Sequence, residues 1–217
     1  MTDTIDKRSP WANKQDRLAE RENKRDAVLR TAAELFNEKG FHATSLDEVA
    51  ERLNVSKPTV YYYVKNKDEI LFECVRIGLE MLESASDEAI QGGSDSKENL
   101  IAVMRKYAEI VTMDFGMCLI RVGEDPLPLD SRRKLRRLKS RIDLKFRSLI
   151  QQGIADGVLR PCDPKIAAFT IAGALSWIAR WYDPKGPLKV EEIGNQCIDL
   201  LMNGLNCRST TTRSSAD

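Results

Sequence analysis

Residues 45–67 read SLDEVAERLNVSKPTVYYYVKNK. Thr44-Ser45 caps a helix, and Asp47 and Glu48 follow in the first turn, where the helix dipole favours acids. Ser56 opens a second short helix with Pro58 in its first turn, where a missing N–H costs little. Between them Leu53-Asn54-Val55 makes a tight turn. Small Ala50 lets two helices cross closely. Asn54, four residues on, is the next choice after glycine for a left-handed backbone, and branched Val60 locks the second helix. This is the arrangement a helix-turn-helix needs. Val49, Leu53, Val55 and Val60 are expected to form its small core with Leu35 and Phe36.

The outward residues suit DNA. Ser56 caps the second helix, and Lys57, Pro58 and Thr59 stand at its N-terminus, which enters the major groove first. Tyr61, Tyr62 and Tyr63 follow. Three consecutive residues cannot share one helix face, so at least one points outward. Lys67 begins the next helix, where side chain and backbone N–H can hold a phosphate, and Thr44 is placed to do likewise.

The rest of the chain reads as helices. Val28, Leu29, Ala32, Leu35 and Phe36 recur at helical spacing from Asn23, and Gly40 closes that helix. A helix begins at Asn66 or Lys67 and runs to about Ser84. Gln91-Gly92-Gly93-Ser94-Asp95-Ser96 is the clearest linker. Helices near 98–113 and 114–122 follow, then Pro126 and Pro128. Asp130 or Ser131 caps a long helix with Leu135, Leu138, Ile142, Phe146, Leu149 and Ile150 as its apolar stripe, ended by Gly157. Helices over 164–182 and 189–205 complete the chain, with Asp183-Pro184-Lys185-Gly186-Pro187 between them. No strand alternation or internal repeat is visible. The fold class is all-α. The expected divisions are a flexible tail over 1–20, a three-helix helix-turn-helix domain over 21–67, a larger helical effector-binding and dimerisation domain over 68–207, and a disordered tail over 208–217.

Composition narrows the classes. The chain has 217 residues, 42% of them hydrophobic, enough for a core. With 12 glycines and 8 prolines it lacks the turn residues of an all-β sandwich or barrel. The five scattered cysteines, Cys74, Cys118, Cys162, Cys197 and Cys207, form no C-x-x-C pair and read as reduced thiols of a cytoplasmic protein. No signal peptide is visible, and the apolar run Ile166 to Trp181 is about a turn short of a membrane span. The net charge of +1 points to no nucleic acid, and residues 1–84 hold 14 Lys/Arg against 16 Asp/Glu. Any DNA face must therefore come from local clustering: Lys57, Lys65 and Lys67, with Arg21, Lys24 and Arg25 near the chain start.

Thr44 through Lys67 resembles the N-terminal domain of TetR-type transcriptional regulators. The preceding Leu35-Phe36-Asn37-Glu38-Lys39-Gly40-Phe41 and the run Val60 to Leu71 match that pattern closely. Over the rest of the chain the likeness is one of length and helical layout. It implies a homodimer whose larger domain binds a small effector. It also implies DNA contacts at Thr44, Ser45, Lys57, Pro58, Thr59, Tyr61, Tyr62, Tyr63 and Lys67. The sequence departs at Asn54, commonly Gly, and at Val64, commonly Phe, so base preference does not carry over.

A lone module of this size binds operators poorly, so the C-terminal part should dimerise. The 164–182 helix is apolar nearly all round and must be covered on most sides. Paired with the 189–205 helix it would give a four-helix interface with a symmetry mate, also the family's arrangement. The alternative is a pair that completes a monomeric core. For the effector, Met104, Tyr107, Phe115, Leu119 and Phe146 suit an adaptable apolar pocket. Arg180 lies on an apolar helix, where a cation needs an acid partner or an anionic ligand. The segment Trp177 to Leu188 resembles a stretch of TetR regulators of lipid and acyl-CoA catabolism, which makes Trp177 a candidate ligand residue beside Arg180; the alternative is a helix end that packs at the dimer interface. Ser131 to Arg147 holds nine basic residues, Arg136 and Arg137 among them, against Asp143. That is either a solvated face or an attractor for a polyanion such as the nucleotide end of coenzyme A.

An enzyme fits poorly. The one histidine, His42, lies beside the helix-turn-helix, and no Gly-rich phosphate loop or paired Cys/His set appears. No catalytic residue, cofactor or metal is expected. The reading is a dimeric repressor released from operator DNA by a small effector, an acyl-CoA thioester in lipid or acid catabolism, with the 67–84 helix linking pocket to DNA domain. The alternative is a related regulator that answers another apolar molecule or a protein partner.

Overall fold

The computed structural model describes residues 14–91 and 95–205. The first 13 residues, Gly92-Gly93-Ser94 of the linker, Cys207 and the expected tail 208–217 lie outside them. The described residues form helices and no strand: α1 (Lys14–Lys39), α2 (Leu46–Arg52), α3 (Lys57–Tyr63), α4 (Lys67–Gln91), α5 (Ser96–Ile110), α6 (Asp114–Arg121), α7 (Leu129–Ala155), α8 (Pro164–Trp181) and α9 (Val190–Asn203).

Several bounds differ from the sequence reading, three of them with a physical reason. Helix α1 starts nine residues before Asn23, inside the stretch expected to be a tail. Its first described turns are exposed and carry an i,i+4 pair, Lys24 to Glu20 at 2.7 Å. A helix without a buried face leaves no apolar period to find. Helix α4 continues past Ser84 because Ala85 and Ser86 are buried, the Ser86 hydroxyl donating to the Leu82 carbonyl at 2.7 Å. Helix α7 begins at Leu129, so Asp130 lies in its first turn and does not cap it.

The described residues form two compact units, one running up to Glu80 and joined by Met113–Leu138, the other starting at Met81, running to Thr112 and resuming from Lys139. In the first, Leu29, Leu35, Phe36, Val49, Val60, Ile70 and Leu71 make the core. Two expected core residues do not join it: Leu53 is half-buried and Val55 is exposed. Both belong to the turn, where backbone bonds do the holding, Val55 N–H to Ala50 at 3.0 Å and Asn54 N–H to Glu51 at 3.0 Å. Asn54 is the one non-glycine described residue with positive φ, +53°. Asn54→Val is expected to lower stability by about 1–2 kcal/mol, and Asn54→Gly to change it by less than about 0.5 kcal/mol, in urea denaturation of the full chain.

Helix α6 is fastened within this unit at two places. Asn37 of α1 donates to the Asp114 carbonyl at 2.9 Å. At Gly78 of α4 the backbones approach so closely that a Cβ would lie 2.8 Å from the Phe115 carbonyl oxygen.

In the second unit, α5 packs on α8 and α9. Gly194 of α9 stands where a Cβ would be 3.1 Å from that of Ala108. Asp163 caps α8 by accepting from Lys165 N–H at 2.8 Å, and Pro164 takes the first helical position. Helix α8 buries Ala168, Ile171, Leu175, Ile178 and Ala179. Its other face, Ile166, Phe169, Gly173, Ala174, Trp177 and Trp181, is exposed.

Candidate nucleic-acid interface and effector region

The helix-turn-helix is built by reciprocal caps. Glu48 N–H donates to the Ser45 hydroxyl at 3.2 Å, and Ser45 N–H donates to the Glu48 carboxylate at 2.9 Å. Thr59 N–H donates to Ser56 Oγ at 3.4 Å, and the two hydroxyls lie 2.8 Å apart. Val60 is fully buried, which fixes the roll of α3 and turns its other residues outward. Lys57, Pro58 and Thr59 are exposed. Tyr61 is 46% and Tyr62 64% exposed, while Tyr63 is half-buried. The Tyr62 and Tyr63 rings meet edge to face at 5.0 Å, and the Arg21 guanidinium lies 5.4 Å from the centre of the Tyr62 ring. The sequence marked Arg21 only as part of a basic cluster, because α1 was not expected to reach back beside α3. Lys57 is held by Asp47 at 2.8 Å, an exposed pair that solvent screens.

Two expected phosphate ligands sit otherwise. Thr44 is buried, its hydroxyl donating to Gly40 at 3.0 Å and Leu35 at 3.3 Å. The Lys67 ammonium donates to the carbonyls of Phe41 at 2.8 Å, Thr44 at 2.9 Å and His42 at 3.4 Å, over the Phe41 ring. Both side chains tie the α1–α2 loop down. Backbone polar groups at the end of one helix outcompete a solvated role when a donor of the right length is at hand.

The nine expected effector residues are divided between the units. Phe115 and Leu119 are buried in the first, with the Arg30 guanidinium 5.5 Å from the Phe115 ring centre. Arg136 and Arg137 are exposed on α7, and Arg136 Nε donates to Glu124 at 3.2 Å. Met104, Tyr107 and Phe146 are buried in the second unit, the Tyr107 and Phe146 rings edge to face at 5.8 Å. Tyr107 and Ser176 hydroxyls meet at 2.8 Å, and burial pushes the Tyr107 phenol above its ordinary pKa. Trp177 is 65% exposed and Arg180 is exposed, so neither is buried in the core of this unit. The sequence left Trp177 between a ligand contact and a packed helix end because an exposed aromatic and a pocket aromatic look alike on an all-apolar helix.

A cavity of about 540 Å³ lies in the second unit, walled by Arg105, Lys106, Glu109, Glu191 and Asn195 among others, not by the expected apolar residues. Acids of the fold answer much of the basic run on α7. Arg141 forks onto Glu83 at 2.7 and 2.8 Å, Lys145 reaches Asp87 at 2.6 Å, and Arg147 pairs with Asp143. The Arg141 contact holds the Glu83 carboxyl below its usual range. Among the described residues, no group of His, Cys, Asp and Glu could hold a metal ion, and no helix is long and apolar enough to cross a membrane.

Comparison with known proteins agrees in both halves of the chain. The model for bacterial regulatory proteins of the tetR family matches residues 28–74. The model for the tetracyclin repressor-like C-terminal domain matches residues 93–205. The TetR family transcriptional regulator PfmR from Thermus thermophilus is 32% identical with a TM-score of 0.76, over 83% of this chain and 99% of that one. AibR, solved in complex with isovaleryl coenzyme A and operator DNA, is 26% identical with a TM-score of 0.74, over 82% and 98%. The HTH-type transcriptional repressor KstR2 of Mycolicibacterium smegmatis is 25% identical over 192 residues, 84% of this chain and 91% of its own.

Proposed function

Since the chain belongs to the TetR family of bacterial regulatory proteins, we propose that it is a dimeric repressor released from its operator by a small effector, an acyl-CoA thioester. The family is one of transcriptional regulators and not of enzymes. The observation that carries the DNA reading is the outward row on α3: Lys57, Pro58, Thr59, Tyr61 and Tyr62 stand exposed on a helix whose roll is fixed by buried Val60. Side chains at the front of such a helix reach base edges, and lysines and hydroxyls around it hold phosphates. Ser45, Ser56 and Tyr63 act at the edge of this surface.

The dimer runs through α8 and α9. Phe169, Trp177 and Trp181 are large apolar side chains left in water by the protomer, in one stripe with Ile166. A stripe of that length and composition is covered in a stable soluble protein. Support for the effector class is AibR, a relative of matching length that was solved with isovaleryl coenzyme A. The exposed Arg137 of α7 is a cation that remains for a nucleotide phosphate. Helix α4 would carry the response towards the DNA domain, shifting the population to one whose recognition helices miss successive major grooves.

The test is fluorescence anisotropy of the full chain on DNA from upstream of its own gene, with and without octanoyl-CoA and octanoate. Release by the thioester and not by the acid supports both parts, and indifference to every probe removes the effector class. On the same DNA, Tyr62→Ala is expected to weaken binding about tenfold. Lys57→Ala is expected to reduce the salt slope by about one.

A further inference from the structure

Helix α7 supplies most of its partly buried cations with partners. Lys145 has Glu83 and Asp87, Arg147 has Asp143, and Lys139 is also engaged. Arg132, in the second turn of the helix, is different. It is half-buried, its Nε is fully buried, and its guanidinium has no hydrogen-bond or ion-pair partner among the described residues. The acids close to it in sequence or in the same unit are taken or solvated. Glu124 accepts from Arg136 at 3.2 Å, Asp130 lies 3.4 Å from Arg133, Asp114 lies 3.7 Å from Arg30, and Asp125 is exposed.

A guanidinium does not shed its proton, so it cannot escape the penalty of burial by becoming neutral, as a lysine can. A buried donor of a charged group left without an acceptor is among the costlier defects a fold can hold. On a helix where other half-buried cations are answered, such a defect calls for an explanation in function. Leu135, three residues on, is fully buried on the same side of the helix, and Phe115 and Leu119 are buried in the same unit. A cation one helical turn from a buried apolar side chain suits a molecule with an oily body and an anionic end.

We propose that the Arg132 guanidinium is the anchor for the oxyanion of the effector, either the carboxylate of an organic acid or a phosphate of its coenzyme A thioester. The inference rests on the reading above that this chain answers a small molecule, and it adds which atom group of that molecule is recognised and by which residue.

The test is calorimetric titration of the full chain with octanoyl-CoA, octanoate and the neutral 1-octanol. The variants are Arg132→Met, Arg132→Lys and the solvated control Lys134→Met. Arg132→Met is expected to weaken the anionic probe at least tenfold and leave 1-octanol unchanged. Arg132→Lys keeps the charge but loses the fork and Nε, and should fall between. Lys134→Met should bind as the unaltered chain does. Which anion responds tells carboxylate from phosphate. Unchanged affinity of Arg132→Met for both anions overturns the proposal, as does an equal loss for 1-octanol. If Arg132→Met does not fold, equal weakening of anion and alcohol in Arg132→Lys overturns it instead. An unaltered chain that binds 1-octanol and neither anion overturns the anchor but leaves a small apolar effector standing. One that binds no probe removes both.

Discussion

Aspartate in place of both Phe169 and Trp177 is expected to leave a folded monomer whose operator affinity has fallen by a hundredfold or more. The protomer leaves these side chains 55% and 65% exposed, so their loss removes little from its own core. Across an interface an aromatic anchor is commonly worth about 2 kcal/mol or more, and two carboxylates facing their symmetry copies add repulsion. A single helix-turn-helix meets one half-site, so losing the partner loses the second set of contacts. Light scattering after gel filtration reads the mass, circular dichroism reads the fold, and anisotropy reads the affinity. A double variant that stays dimeric would move the interface away from α8.

Lys67→Met is the second large change. It is expected to lower stability by about 3 kcal/mol and leave the salt dependence of DNA binding intact. Hydrogen bonds from a charged donor are worth roughly 1.5–3 kcal/mol each, and here the carbonyls of Phe41 and Thr44, at 2.8 and 2.9 Å, are left without their donor. The substitution removes a positive charge from the DNA-binding unit. A lysine that neutralised a phosphate would therefore take close to one unit of salt slope with it. Thermal unfolding and a salt titration separate the two roles. A reduced slope with unchanged stability would return Lys67 to the phosphate backbone.

The helix-turn-helix was legible because local rules act there together: two caps, a left-handed Asn54, a small residue at the crossing and one locking Val60. Helix number and order were legible for the same reason in the longer periodic segments. The front of α1 was not, since a solvated helix carries no apolar period. Leu53 and Val55 were assigned to the core by residue type, yet the turn's own backbone bonds hold it and leave Val55 in water. Thr44 and Lys67 fit a phosphate by chemistry alone. Only the fold shows carbonyls of the α1–α2 loop within their reach. Trp177 and Arg132 show the same limit in opposite senses. One is apolar and exposed, the other charged with a buried nitrogen, and neither fact can be read from the composition of its helix.

The contact at Gly78 has a mechanical meaning. Most neighbouring helices touch through side chains, which can change rotamer and absorb a small displacement. At Gly78 no side chain intervenes, and backbone lies against the Phe115 carbonyl. The joint has almost no play. Asn37 fastens the same end of α6 to the C-terminal end of α1, and just beyond that end the Phe41 and Thr44 carbonyls accept from Lys67 at the start of α4. Helices α1, α4 and α6 are thus pinned to one another near the C-terminal end of α1. A push of a few tenths of an ångström on α6 passes to α4 with little damping, because a close-packed contact of backbone on backbone has no slack in which to lose it.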